Sequence, residues 1–140
     1  MKIQEAVKYV RQRFSYTSDQ NVFGIFDHWS VMREQDGKMY GDCDDFALTS
    51  IWKACDSNLL IFFINVFILH TYRIWFVTTR TGAKHAVGYA DGLYFDNWTK
   101  EALPKDVFIQ RTGHKFWFFW LSPFLVFPLL FGIFMRYFKK

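Results

Sequence analysis

From Phe116 to Met135 the chain runs for 20 residues without one ionisable side chain, and this stretch limits what the remainder can build. As a helix it would extend about 30 Å, the thickness of a bilayer's hydrocarbon core. His114 and Lys115 flank one end, and Arg136, Tyr137, Lys139 and Lys140 flank the other, as interfacial anchors do. Pro123 and Pro128 kink such a helix, and a membrane tolerates those kinks better than water does. The expectation is therefore a C-terminal hydrophobic (transmembrane) helix in contact with membrane lipid. Its rival is a buried segment that packs on the domain or on sister subunits. The basic flanks are too evenly matched to set an orientation. Residues 1–112 then form one domain and residues 113–140 the hydrophobic membrane segment.

Composition supports this division. Of 140 residues, 51% are hydrophobic and 22% aromatic, which excludes a disordered tail or a fibrous repeat. The net charge of +4 comes with no basic run longer than two residues, so the pattern suits lipid headgroups rather than nucleic acid. No Cys–His spacing suggests zinc and no glycine-rich loop suggests phosphate binding. The N-terminus lacks the apolar core of a signal peptide. Cys43 and Cys55, twelve positions apart on one helix, would lie about 18 Å from each other. A disulfide needs Cα atoms within about 7 Å, so the two thiols are expected to stay free.

Ile3, Ala6, Val7, Val10 and Phe14 recur at three- and four-residue spacing and predict a helix over residues 2–14. Ser15 to Gly24 reads as a loop, and Asp36-Gly37 as a turn. A second helix is expected from Cys43 to about Asp56-Ser57-Asn58. Leu59 to Leu69 is too short to span a membrane, and its periodicity fits buried helix and buried strand equally. Its polar neighbours Asn58 and His70 favour a buried or interfacial helix. Strands follow over Ile74–Thr79, His85–Ala90 and Leu93–Asn97, the last two joined by Asp91-Gly92 in a type I′ hairpin. Glu101 to Gln110 is expected to hold a loop and one more strand. Helices first and an antiparallel sheet after make an α+β layout.

The chemistry concentrates in Gly41-Asp42-Cys43-Asp44-Asp45-Phe46-Ala47. A cysteine in the first turn of a helix meets free backbone N–H groups and the positive end of the helix dipole, both of which favour thiolate, the nucleophilic form. Gly41 allows close approach of a substrate, and the Cys43 N–H can donate to an oxyanion. Asp42, Asp44 and Asp45 oppose the thiolate, so a nearby imidazolium is needed. Among His28, His70, His85 and His114, only His85 opens a strand whose hairpin partner offers a carboxylate. Pairing across Asp91-Gly92 sets His85 opposite Trp98, with Asp96 diagonal on the same face, placed to orient the ring. Trp29 and His28 are cleft candidates, with a structural role favoured for His28. His70 and His114 border apolar runs and read as interface markers. Cys55 reads as a small core residue.

Gly41-Asp42-Cys43-Asp44-Asp45-Phe46-Ala47, His85-Ala86-Val87 and Phe95-Asp96-Asn97, in that order, resemble the bacterial transglutaminase-like cysteine proteinases. Tyr16-Thr17-Ser18-Asp19 and Asp27-His28-Trp29 fit the N-terminal pattern of that family. The likeness spans residues 3–98 and implies a papain-like or transglutaminase-like core. Cys43 would be the nucleophile, His85 the general base and acid, and Asp96 the residue that orients the ring. Asp44 stands where the family has Glu, and Phe46 where it has Tyr. Some relatives bind calcium through acids flanking the cysteine, here Asp42 and Asp44, although two carboxylates make a weak site for an ion that takes six to eight oxygens.

The reading that follows is a membrane-tethered cysteine peptidase or amidase. It acts on a protein or peptide substrate through a thioester and requires no cofactor, with transamidation an equal outcome. The other reading is a non-catalytic structural or membrane-inserting module that forms homo-oligomers or joins a virion. The small size and greasy tail suit a phage-encoded protein delivered to the host envelope.

Overall fold

The computed structural model describes residues 1–17 and 31–121. Helix α1 (Ile3–Arg13) buries the expected stripe of Ile3, Ala6, Val7 and Val10. Phe14 turns to extended backbone and opens β1 (Phe14–Tyr16), so helix and loop are both displaced there by a short strand. Strand β1 runs parallel to β3 (Lys38–Gly41), and β2 (Glu34–Gln35) joins the other edge antiparallel. Asp36 and Gly37 form the predicted turn between β2 and β3, with φ of 54° and 75°. This small mixed sheet, with its parallel pair, goes beyond the antiparallel sheet expected.

Helix α2 (Cys43–Ala54) begins where predicted and lies in the core between α1 and the larger sheet. Helix α3 (Leu59–Phe63) follows, capped by Asn58, whose Oδ1 accepts from the N–H groups of Leu60 and Ile61 at 3.0 and 3.1 Å. It continues as a π-helical segment, Ile64–Ile68. Only Phe62 and Val66 are buried there, while Leu59, Leu60, Ile61, Ile68 and Leu69 face solvent. The run is thus helical, with one side docked on the core and the other exposed.

The larger sheet is antiparallel, in the order β6-β5-β4-β7. It comprises β4 (Tyr72–Thr78), β5 (Lys84–Ala90), β6 (Leu93–Phe95) and β7 (Lys115–Leu121). Asp91 and Gly92 both have positive φ, 53° and 81°, as a type I′ turn requires. The register pairs Gly88 with Phe95 and Ala90 with Leu93, as the hairpin predicted. Gly88 leaves room for the Phe95 ring, which an added Cβ would meet at 2.3 Å. Alternation divides the core: Ile74, Ala86, Ala90 and Phe95 pack toward α1 and α2, whereas Val77, Val87, Tyr94 and Phe108 pack on the opposite face.

Two expectations change beyond residue 100. Lys105–Thr112 is a helix, α4, and not a strand. Its signals are Pro104 before the first turn and Gly113 in the left-handed conformation after the last. Phe116 to Leu121 is no part of a transmembrane helix; it lies in β7, hydrogen-bonded along β4. Aromatic residues favour strands, and β4 would otherwise present an open edge. The sheet therefore runs past residue 112, where the domain was expected to end. Residues 122–135 of the apolar run lie outside the described residues. Among the described residues, no single helix is long and apolar enough to cross a membrane.

Candidate active site

Asp96 organises one half of the site. Strand β6 ends at Phe95, and the Asp96 Oδ1 accepts from the N–H groups of Trp98 and Thr99, each at 3.0 Å, closing a turn. Helix α1 secures that loop: Arg11 donates to the Asn97 carbonyl at 2.9 Å, and Gln4 exchanges two hydrogen bonds with the backbone of Ala102. The other oxygen, Oδ2, meets His85 Nε2 at 2.9 Å and His114 Nε2 at 2.8 Å. Burial pushes the Asp96 carboxyl up, but the hydrogen bonds from His114 and His85 outweigh it and hold it well below the usual carboxylate range. An ionised carboxylate only accepts, so each Nε2 carries its proton. His85 Nδ1 is then the nitrogen able to take a proton from a nucleophile.

The predicted pairing of His85 with Asp96 is present, by a different geometry. Trp98 is not a strand partner; the turn after Asp96 brings its indole onto the His85 ring, 4.9 Å between centroids. His114 is the residue that sequence reasoning missed. It is fully enclosed rather than an interface marker, 4.9 Å from the rings of both His85 and Trp98 and 5.7 Å from Phe108. No local signal marks it. Only α4 and the pairing of β7 with β4 deliver it to Asp96.

The second half is the mouth of α2. Asp42 and Asp45 form a capping box, each side chain accepting from the other's backbone N–H at 3.3 Å. Gly41 serves this arrangement: an added Cβ would meet Asp45 and Met32 at 2.8 Å. The space that the glycine opens is thus filled by the protein's own side chains. Cys43, the first helical residue, is partly exposed, and its thiol donates to Asp44 Oδ1 at 3.6 Å. Burial raises the thiol pKa first, then the charge of Asp44, with that of Asp42 adding less. The backbone N–H of Ala86, next to His85, acts the other way. The helix mouth alone therefore does not supply a thiolate.

The fold brings Cys43 beside β5 at the residue after His85, and joins His85 to Asp96. No hydrogen bond links the Cys43 thiol to the His85 ring. Cys55 is buried in the core as expected, and burial, with Asp56, pushes its pKa up to about 12. Both cysteines are free. Trp29 and His28 lie outside the described residues. A cavity of about 570 Å³ opens beside Trp98, lined by Arg80, Lys100 and Arg111 together with Thr99 and Thr112.

His85, Asp96 and His114 offer donor types that metals use, with ligand atoms within 4.8 Å of one another. Both Nε2 protons are already committed to Oδ2, so the trio reads as a hydrogen-bonded network. For calcium, Asp42 Oδ1 caps α2 and Asp44 Oδ1 accepts the thiol. No third acidic, histidine or cysteine side chain joins them in a ligand cluster among the described residues. These two carboxylates do not make up the six to eight oxygens that calcium takes.

No family model matches the chain, and no curated protein matches it. Solved structures do. Legionella pneumophila LapG superposes with a TM-score of 0.54 at 20% identity, over 81% of this chain and 60% of LapG. Its EGTA-treated form gives 0.53 at 20% identity, over 81% and 59%. Its calcium-bound form gives 0.50 at 20% identity, over 75% and 57%. The chain thus spans about three fifths of the LapG length, and at this identity the likeness is one of fold.

Proposed function

We propose that this protein is a cysteine peptidase or amidase with Cys43 as nucleophile, His85 as general base and acid, and Asp96 orienting His85. The observation that carries the reading is the Asp96–His85 hydrogen bond on a strand against which the helix-mouth cysteine is packed. The fold shared with LapG, a transglutaminase-like cysteine protease, agrees with it. His85 Nδ1 takes the Cys43 proton and the sulfur attacks the substrate carbonyl. The Cys43 N–H, in a helical turn whose amides lack intrahelical partners, donates to the oxyanion. His85 returns the proton to the leaving amine, and a thioester remains. Water then releases an acid, or a second amine gives transamidation. No step uses calcium. The thiol must first leave Asp44 and turn to His85, an adjustment in keeping with catalytic contacts that tighten only around substrate. The basic cavity beside Trp98 suits acidic side chains of a substrate.

The membrane is the proposed location. Residues 122–135 hold no ionisable side chain, and the exposed face of α3 adds a second apolar surface. Membrane-bound protein that high salt does not release is the expected result; full-length monomer in a detergent-free supernatant would sink it.

One observation favours a non-catalytic module: the thiol donates to Asp44 and not to His85. An electrophilic thiol probe separates the readings. Rapid labelling lost in Cys43→Ser, strongly slowed in His85→Ala and kept in Cys55→Ala supports the enzyme. Equal, sluggish reaction of both thiols supports the module.

A further inference from the structure

We infer that His114 is a positioning residue for the proposed reaction, setting through Asp96 how strongly the carboxylate holds His85. The inference rests on the cysteine-enzyme reading for its purpose, and on geometry for its substance. A carboxylate has roughly four lone-pair sites. Those of Asp96 are filled by four donors: the Trp98 and Thr99 N–H groups on Oδ1, and the two imidazoles on Oδ2. The carboxylate cannot rotate without losing a buried hydrogen bond. His85 therefore meets a fixed oxygen whose charge it shares with a second ring.

His114 does not compete for the thiol. Its Nδ1 is buried without a hydrogen-bond partner, and its ring is packed at a tilt against Trp98, Phe108 and His85. The Cys43 thiol lies instead against the Ala86 N–H, the residue next to His85. The charged partner of His114 is Asp96, and the Arg80 guanidinium lies against the adjoining Gly113, its Nε 1.8 Å from where a Gly113 Cβ would be. His85 is the titratable neighbour on β5. The backbone N–H of His114 is held by Thr112 at 3.3 Å, which fixes the ring's point of departure from α4.

Removing the His114 donor leaves the whole charge of Oδ2 to His85 and tightens its imidazolium form. His85 should then hold its proton about two- to tenfold more tightly, the range of one hydrogen bond. The experiment follows the His85 ring by long-range ¹H–¹⁵N spectra across pH in full-length Cys43→Ser, with and without His114→Phe. The His85 midpoint should rise in the Phe variant, and His114→Gln, which keeps an N–H donor, should return it most of the way to the parent value. In the active protein the acid limb of the pH–rate profile, which follows the neutral His85 needed as base, should move the same way. Identical His85 titration in all three proteins overturns the inference. If His114→Phe does not fold, the wild-type spectra decide: both rings must be Nε2–H tautomers, and an Nδ1–H tautomer at His114 overturns it. These spectra need no turnover, so a failed thiol-labelling test and a failed titration are separate results.

Discussion

Aspartates surround both halves of the site, with opposite consequences. At the mouth of α2, Asp44 accepts the thiol, and its charge adds to burial in resisting thiolate. At the end of the hairpin, Asp96 is more deeply buried, yet four donors keep it ionised. What separates them is the company each carboxylate keeps. A buried charge surrounded by donors becomes an anchor, whereas a charge beside a group that must itself become negative is a brake. In the proposed reaction the hairpin end would supply the preorganised base, and the helix end a nucleophile held in its protonated form. The proposed activity then depends on the first half overcoming the second.

The largest effect should come from breaking the anchor. Asp96→Ala strands two backbone N–H groups and two imidazoles, and should lower stability by about 3–5 kcal/mol in urea unfolding. Asp96→Asn should lose less while still misplacing His85; equal stability of wild type and Asp96→Ala would break the contrast. Acid should weaken the same anchor reversibly. The Asp96 carboxyl is depressed in the folded state, so its contribution is complete above the unfolded carboxylate value of about 3.9 and fades as pH falls below it. Unfolding followed from pH 6 to pH 2 should show this slope, and Asp96→Asn should flatten it.

Releasing the brake is a smaller change. Asp44→Asn removes a charge from beside the sulfur, and should speed labelling of Cys43 at pH 7 by about tenfold, the size of a partly screened contact near 4 Å. Slower labelling would mean that Asp44 aids the thiol. Smaller still, Asp42→Ala removes the cap of α2 and should cost about 1 kcal/mol, read as a shift of the urea midpoint with unchanged slope.

Much of this architecture was legible in local patterns. The stripe Ile3-Ala6-Val7-Val10, the helix start at Cys43, the Asp91-Gly92 turn and the register it imposes all rest on contacts within a few residues. So did the nearness of His85 and Asp96, because a two-residue turn leaves a single pairing. Other features misled for physical reasons. Aromatic runs are apolar in any conformation, so Phe116–Leu121 looked like the start of a membrane helix until the open edge of β4 was in view. Lys105–Thr112 carried its helix signals, Pro104 and Gly113, at its borders and only weak amphipathic patterning within.

The amino-acid order by itself determined which residues could act, Cys43 at a helix start and His85 and Asp96 across a hairpin, because those placements follow from short-range geometry. Tertiary structure alone decided that His114 shares the Asp96 oxygen, that Trp98 covers both imidazoles, and that the apolar face of α3 stays bare. These depend on strands paired across tens of residues, and on how much surface the rest of the core can cover. Neither quantity is written into any local stretch of chain.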